Sequence, residues 1–269
     1  MEQIKLNDID LKSMHKLISQ GSTSTLYKDG STCYKILDKL YVHEKEELHK
    51  KFLAMDGIKI DNVLTPKELI VKNDKLEGYT MDYFPNSMQL SDAFSVRHVD
   101  TKRLLNYISK ASEILRTIHD NNIIYKDLSF ENILIDAKGN VVFCDLDGCS
   151  FDKYTSPFIS MLMKYFLVDY RHEKIKSIPN LDRISMLISF YYLIYAKEIQ
   201  HISKRQYNKL SSKIQTLENA KAYARMLKDK DNPIGEIPYL DELIDESDDY
   251  TYDRVKHLNF TTRMLRLNK

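Results

Sequence analysis

Tryptophan is absent, and glycine (7), proline (6) and cysteine (3) are scarce among the 269 residues; each shortage removes a class of protein from consideration. So little glycine and proline excludes collagen-like and linker-rich architectures, and with no repeat period or low-complexity tract any division into lobes must be a compact one. Cys33, Cys144 and Cys149 are odd in number and form no C-x-x-C pair, which argues against a disulfide framework or zinc knuckle and for a reducing compartment. Neither sign of charge is in excess. Forty Lys and Arg face 39 Asp and Glu, so no overall field recruits nucleic acid or an anionic membrane. The apolar runs from Phe158 to Val168, interrupted by Lys164, and from Ile184 to Ala196 are too short to cross a bilayer as helices. Met1 to Lys12 has no apolar core of the kind a secretory signal needs. A cytoplasmic protein with no membrane span and no nucleic-acid partner is expected.

What is there begins with β-prone residues. From Leu17 to Leu37 Ser, Thr, Tyr, Cys and Ile dominate around Asp29-Gly30, a hairpin signal. The period then changes: over Asp38 to Met55, Leu40, Glu44, Leu48, Phe52 and Met55 share one helical face, predicting a helix with an acid on its apolar stripe. Leu64 to Val71 and Leu76 to Phe84 flank the polar turn Lys72-Asn73-Asp74-Lys75, again strand, turn, strand. Helical patterns follow, at Thr101 to His119, Phe158 to Val168, Asp182 to Lys197 and in amphipathic segments toward Lys269. One hairpin interrupts them, with Ile133 to Ile135 and Val141 to Cys144 bracketing the turn Asp136 to Asn140.

Acids and an amide stand at the mouth of that hairpin. Asp127 and Asn132 are five apart just before its first strand, and Asp145-Leu146-Asp147-Gly148 follows its second. Mg²⁺ takes oxygen ligands, usually one or two carboxylates plus substrate phosphates, and Asn132 with Asp145 meets that need. Phosphoryl transfer also requires a group to orient or deprotonate the attacking hydroxyl and a cation on the nucleotide phosphates. Asp127 and Lys35 suit these roles. Lys35 lies in the strand Cys33 to Leu37, where an inward lysine needs a partner; Glu44 on the next helix is the expected one, with Glu47 its competitor.

The order of these motifs resembles the protein-kinase superfamily, bacterial-type Ser/Thr kinases in particular. Ser19 to Leu26 is similar to the glycine-rich loop with Gly21 kept, Lys35 to the V-A-I-K lysine and Glu44 to its helix partner. Tyr125-Lys126-Asp127 resembles H-R-D, Asp145-Leu146-Asp147 stands where D-F-G would be, and Asp182 opens a helix as does the acid that braces the catalytic loop. The resemblance implies an α+β, two-lobed fold: a small antiparallel sheet with one helix over residues 1–84, a mainly helical lobe over 85–269, and ATP with Mg²⁺ between them. It implies Gly21 and Ser22 over the phosphates, main-chain groups of Asp82 and Phe84 on the adenine, and a hydroxyl acceptor on a protein.

The departures bear on the acceptor. Ser19 and Ser24 replace loop glycines, Lys126 the H-R-D arginine and Asp147 the D-F-G glycine, no A-P-E precedes Asp182, and Ser129 stands where Ser/Thr kinases carry a lysine. Small-molecule kinases of the aminoglycoside and choline type share D-x-x-x-x-N followed by an acid, and a catalytically weak pseudokinase scaffold is a third reading. Asp147 is read as a loop hydrogen-bonding residue in preference to a metal ligand, His119 as a buried structural histidine and Cys144 as packing. Tyr154, Thr155 and Ser156 are read as ordinary loop hydroxyls, and the acidic run Asp241 to Asp249 as a solvated helix face.

Overall fold

A six-stranded sheet dominates the first third of the chain, in the order β1-β5-β6-β4-β3-β2. Its strands are β1 (Glu2–Lys5), β2 (His15–Leu17), β3 (Thr25–Asp29), β4 (Thr32–Ile36), β5 (Glu68–Lys72) and β6 (Lys75–Asp82). The computed structural model describes residues 1–17, 23–38, 40–93, 101–154, 179, 181–183, 185–186, 189 and 239–242. Gly21 and Ser22, and most of the helices expected beyond residue 157, lie outside these.

The turns follow their chemistry. Gly30, at φ +56°, opens the two-residue loop that pairs Asp29 with Thr32. Asn73 and Asp74 sit at φ +51° and +62° between the paired Lys72 and Lys75, the doubly positive conformation that Asn and Asp tolerate and that suits the twist of a hairpin. β1 was not foreseen; four mostly exposed residues pairing parallel with β5 carry no alternation to read. The sheet is therefore antiparallel except at this edge.

Helix α1 (Val42–Ala54) is shorter at its start than its apolar stripe predicts. Asp38 accepts a hydrogen bond from Thr25 Oγ1 at 2.7 Å and stays outside the helix. Leu48, Phe52 and Met55 are buried, and Phe52 meets Tyr79 of β6 edge to face at 5.0 Å between ring centres. Each such side chain contributes roughly 1.5–3 kcal/mol by its burial.

After β7 (Ser87–Gln89) and the short α2 (Leu90–Ala93), α3 (Thr101–Asp120) lays Leu104, Ile108, Ala111, Leu115 and Ile118 along one face, all fully buried. That 3.6-residue spacing is the one the sequence predicts. The expected hairpin is β9 (Ile133–Asp136) with β10 (Val141–Phe143), extended by β7 to three strands. Asp136 closes its turn by accepting from the Lys138 and Asn140 amides, both at 2.9 Å. Finally β8 (Ile123–Ile124) pairs with β11 (Ser150–Phe151), tying the start of the Asp127 loop to the end of the Asp145 loop. Among the described residues no helix is long and apolar enough to cross a membrane.

Candidate active site

The β9–β10 register brings the two chemical loops to one point. Ile133 pairs with Phe143, so the next pair outward is Asn132 with Cys144, joined by the Cys144 amide donating to the Asn132 carbonyl at 3.0 Å. Asn132 therefore stands beside Asp145. Asn132 Nδ2 donates to the Asp127 carbonyl at 2.9 Å, which leaves Oδ1 as the amide atom able to meet a cation. The Tyr125 hydroxyl donates to the Cys144 carbonyl and closes the same junction.

Two residues here hold left-handed backbone, Lys126 at φ +64° and Asp145 at φ +69°. Among the described residues Lys126 is the one side chain other than Asn or Asp to do so. Such conformations cost energy and persist where the surroundings impose them. At Lys126 it is Asp182 that imposes the conformation. Its fully buried carboxylate accepts from the Tyr125 amide at 2.6 Å and the Lys126 amide at 2.7 Å. Asp182 also lies 3.0 Å from His119 Nε2, while His119 Nδ1 is 2.8 Å from the Tyr239 hydroxyl. A carboxylate can only accept, so Nε2 carries a proton, and His119 holds the structural place expected of it. Arg116 and Arg183 lie 4.1 and 3.9 Å from the centre of the Tyr239 ring.

Lys35 reaches this point from β4. Its side chain is 5% exposed, and Nζ lies 2.6 Å from Asp145 Oδ1 and 2.7 Å from Asp147 Oδ2. Burial alone would lower the lysine pKa, but the adjacent Asp147 and Asp145 outweigh it and hold the group above its usual range. Strand β6 crosses close by: a Cβ on Gly78 would come 2.3 Å from the Lys35 carbonyl oxygen, so a side chain there would push β4 away.

The pairing with Glu44 is not formed. Glu44 instead caps α1, accepting from the Tyr41 amide at 2.8 Å, and Glu47 pairs with Lys50 at the surface. Glu44 sits in the helix's first turn, whose free amides compete for a carboxylate. Glu44→Ala is expected to lower stability by about 1 kcal/mol in denaturant titration with no measurable change in affinity for an ATP analogue; lost affinity would return Glu44 to the Lys35 pair.

Asp147 does more than hold its own loop. It takes Lys35, and its Oδ1 accepts from the Tyr79 hydroxyl; beside these the buried carboxyl is held below the usual range, although burial opposes it. Lys51 of α1, also buried, donates to the Asp147 and Cys149 carbonyls at 2.6 and 2.8 Å. Sequence reasoning passed over Lys51, although it lies three residues beyond Leu48 on the same stripe. Cys144 has its thiol pushed up to about 12 by burial and by Asp145, as suits a packing residue. Asp82 ends β6 and pairs with Lys67 at 2.5 Å, while the Phe84 carbonyl accepts from Ser87 Oγ at 2.9 Å.

The donor set can be weighed against a divalent cation. Among the described residues no three His, Cys, Asp or Glu side chains gather as a metal cage. Asp145 is 38% exposed against 6% for Asp147, so one open carboxylate and one amide oxygen are offered. That fits a cation which arrives with phosphate ligands of its own.

No family model matches the chain. It is similar to the serine/threonine-protein kinase sgk-1 of Caenorhabditis elegans, 29% identical over 166 residues that make up 56% of this chain and 35% of that protein. It is likewise similar to the serine/threonine-protein kinase SCH9 of Saccharomyces cerevisiae, 28% identical over 149 residues (48% of this chain, 17% of the relative). A shorter stretch of 53 residues is 40% identical to the serine/threonine-protein kinase gad8 of Schizosaccharomyces pombe, covering 20% of this chain and 9% of that one. The chain thus spans about a third or less of the length of these relatives.

Proposed function

We propose that this chain, a member of the protein-kinase-like superfamily, is a kinase that moves the γ-phosphate of ATP to a serine or threonine hydroxyl of a protein. The observation that carries the reading is the convergence of Lys35, 2.6 Å from Asp145, with the hairpin mouth where Asn132 is bonded to the Asp127 loop. Those are a cation for phosphates, an open carboxylate and amide for a metal, and an acid for the acceptor, presented by three separate segments. The relatives, each named a serine/threonine-protein kinase, support the acceptor class.

In this reading Lys35 holds the α and β phosphates, and Asp127 orients or deprotonates the acceptor hydroxyl. Asn132 and Asp145 would hold Mg²⁺, which when bound neutralises charge on the phosphates. Main-chain groups of Asp82 and Phe84 take the adenine. Gly21 and Ser22, outside the described residues, are assigned to the loop over the phosphates by the resemblance. Residues 1–84 form the small lobe and 85–269 a mainly helical one, with the nucleotide between them.

Ser129 favours a second reading, in which the acceptor is a small hydroxylated molecule, because a lysine near the transferred phosphoryl group is missing. One experiment separates the outcomes. The full chain is incubated with γ-labelled ATP, with Mg²⁺ or with EDTA, and offered Ser/Thr peptides and a panel of hydroxylated metabolites. Label on peptides that EDTA abolishes is expected. Label on a metabolite alone moves the acceptor to small molecules, and ATP binding with no transfer to either panel overturns the enzyme in favour of a scaffold.

A further inference from the structure

The buried lysine at the centre of the site has two acids, and they are not equivalent. Asp145 is 38% exposed and stands at the hairpin mouth; Asp147 is 6% exposed and is held on every side. Lys35 and Tyr79 are directly opposed in the β4–β6 register, so their side chains leave the same face of the sheet. Both end on Asp147, the ammonium on Oδ2 at 2.7 Å and the Tyr79 hydroxyl on Oδ1. The seat of this carboxylate is thus built by a cross-strand pair, and Tyr79 is itself fixed by its edge-to-face contact with Phe52.

Helix α1 contributes the opposite charge. Its inward polar residue is Lys51, which grips the main chain of the same loop at Asp147 and Cys149, while its acid, Glu44, is used at the cap. Two buried ammonium groups and two carboxylates are therefore gathered within a few residues. A buried charge left without its counterpart is costly, so removal of either acid shifts its load to the other.

We propose that Asp147 is the positioning residue for Lys35: the loop that carries Asp145 also carries the anion that fixes the phosphate-binding lysine, and α1 acts on the site through the hold of Lys51 on that loop and the packing of Phe52 on Tyr79. When Asp145 turns to other work in the cleft, Asp147 keeps Lys35 aimed. The inference rests on the phosphotransfer reading above and concerns which residue sets the lysine.

The test uses the wild-type chain, Asp147→Asn, Lys35→Met and the double variant. Transfer rates from γ-labelled ATP are measured, and the lysine ammonium resonances are followed by NMR without nucleotide. Each single variant is expected to lower kcat by about 100-fold. The double variant should match Lys35→Met to within about threefold, because Asp147 acts through the lysine. A slowly exchanging ammonium signal, assigned by its loss in Lys35→Met, should shift and exchange about tenfold faster in Asp147→Asn, where the more open Asp145 is left to hold the lysine alone. Tyr79→Phe keeps the shape of the core, guards against an Asp147 variant that fails to fold, and is expected to lower kcat by about tenfold through the same lysine. Multiplying losses in the double variant, or an ammonium signal and kcat untouched by both Asp147→Asn and Tyr79→Phe, would overturn the proposal. A wild-type chain that transfers no phosphate sinks the phosphotransfer reading instead; the ammonium signal still decides whether Asp147 sets the lysine.

Discussion

Asp145→Asn is expected to leave a folded protein that binds nucleotide and transfers phosphate about 10³-fold more slowly. Asparagine is among the few residues that adopt left-handed backbone at little cost, so the φ of +69° survives and the loop keeps its course. Lys35 retains Asp147 at 2.7 Å, and the melting temperature should move by less than about 4 °C. What the substitution removes is the formal charge of the open carboxylate. In the proposed reading this carboxylate would meet the metal and the phosphates, where charge is redistributed during transfer and a preorganised charge contributes most to the rate. Steady-state rates with γ-labelled ATP, taken beside melting curves, check both halves of the expectation. Retention of more than about a tenth of wild-type kcat would remove Asp145 from the centre.

The elements legible in the sequence were those whose periodicity comes from burial on one side. Helix α3 shows its face because Leu104, Ile108, Ala111, Leu115 and Ile118 all pack inward, and the β9–β10 hairpin shows because its turn residues have the chemistry its geometry demands. Strand β1 was silent for the opposite reason. It lies at the sheet edge with most residues exposed, and its place is set by parallel pairing with a strand more than sixty residues on, which no local pattern encodes.

Much the same division runs through the site. Asp127, Asn132 and Asp145 are legible because their spacing brackets two short strands, whose register delivers Asn132 beside Asp145, and Lys35 because a lysine within an apolar strand needs an anionic partner. The partner of Lys35 was misassigned because a glutamate on an apolar stripe looks inward on a helical wheel; its position in the first turn, where amides lack partners, draws it to the cap. Lys51 had the better claim to the inward face, since Leu48 and Phe52 flank it there. The role of Asp147 depended on Tyr79 lying opposite Lys35 across two strands, a contact between residues 44 apart in sequence that only the fold reveals.

Asp182→Ala is expected to have the largest effect on folding of any single change near the site, a loss of about 3–5 kcal/mol. The carboxylate is fully buried and serves the Tyr125 amide, the Lys126 amide and His119 at once. Removing it strands two main-chain donors and one ring nitrogen away from water, and each unsatisfied buried group costs roughly 1–3 kcal/mol. It also frees Lys126 from the contact that holds its φ at +64°, and with it the orientation of Asp127 one residue later. Asparagine is no remedy, because its NH₂ would face a donor already pointing at that position. Urea unfolding measures the first effect, and hydrogen exchange at the Tyr125 and Lys126 amides reports the second. With a total stability of about 5–15 kcal/mol for a typical domain, the alanine variant should still fold in the cold, with both amides exchanging early and phosphate transfer lost. Amides that remain as protected as in the wild type would show that Asp182 does not hold the loop, and the left-handed turn at Lys126 would then need another cause.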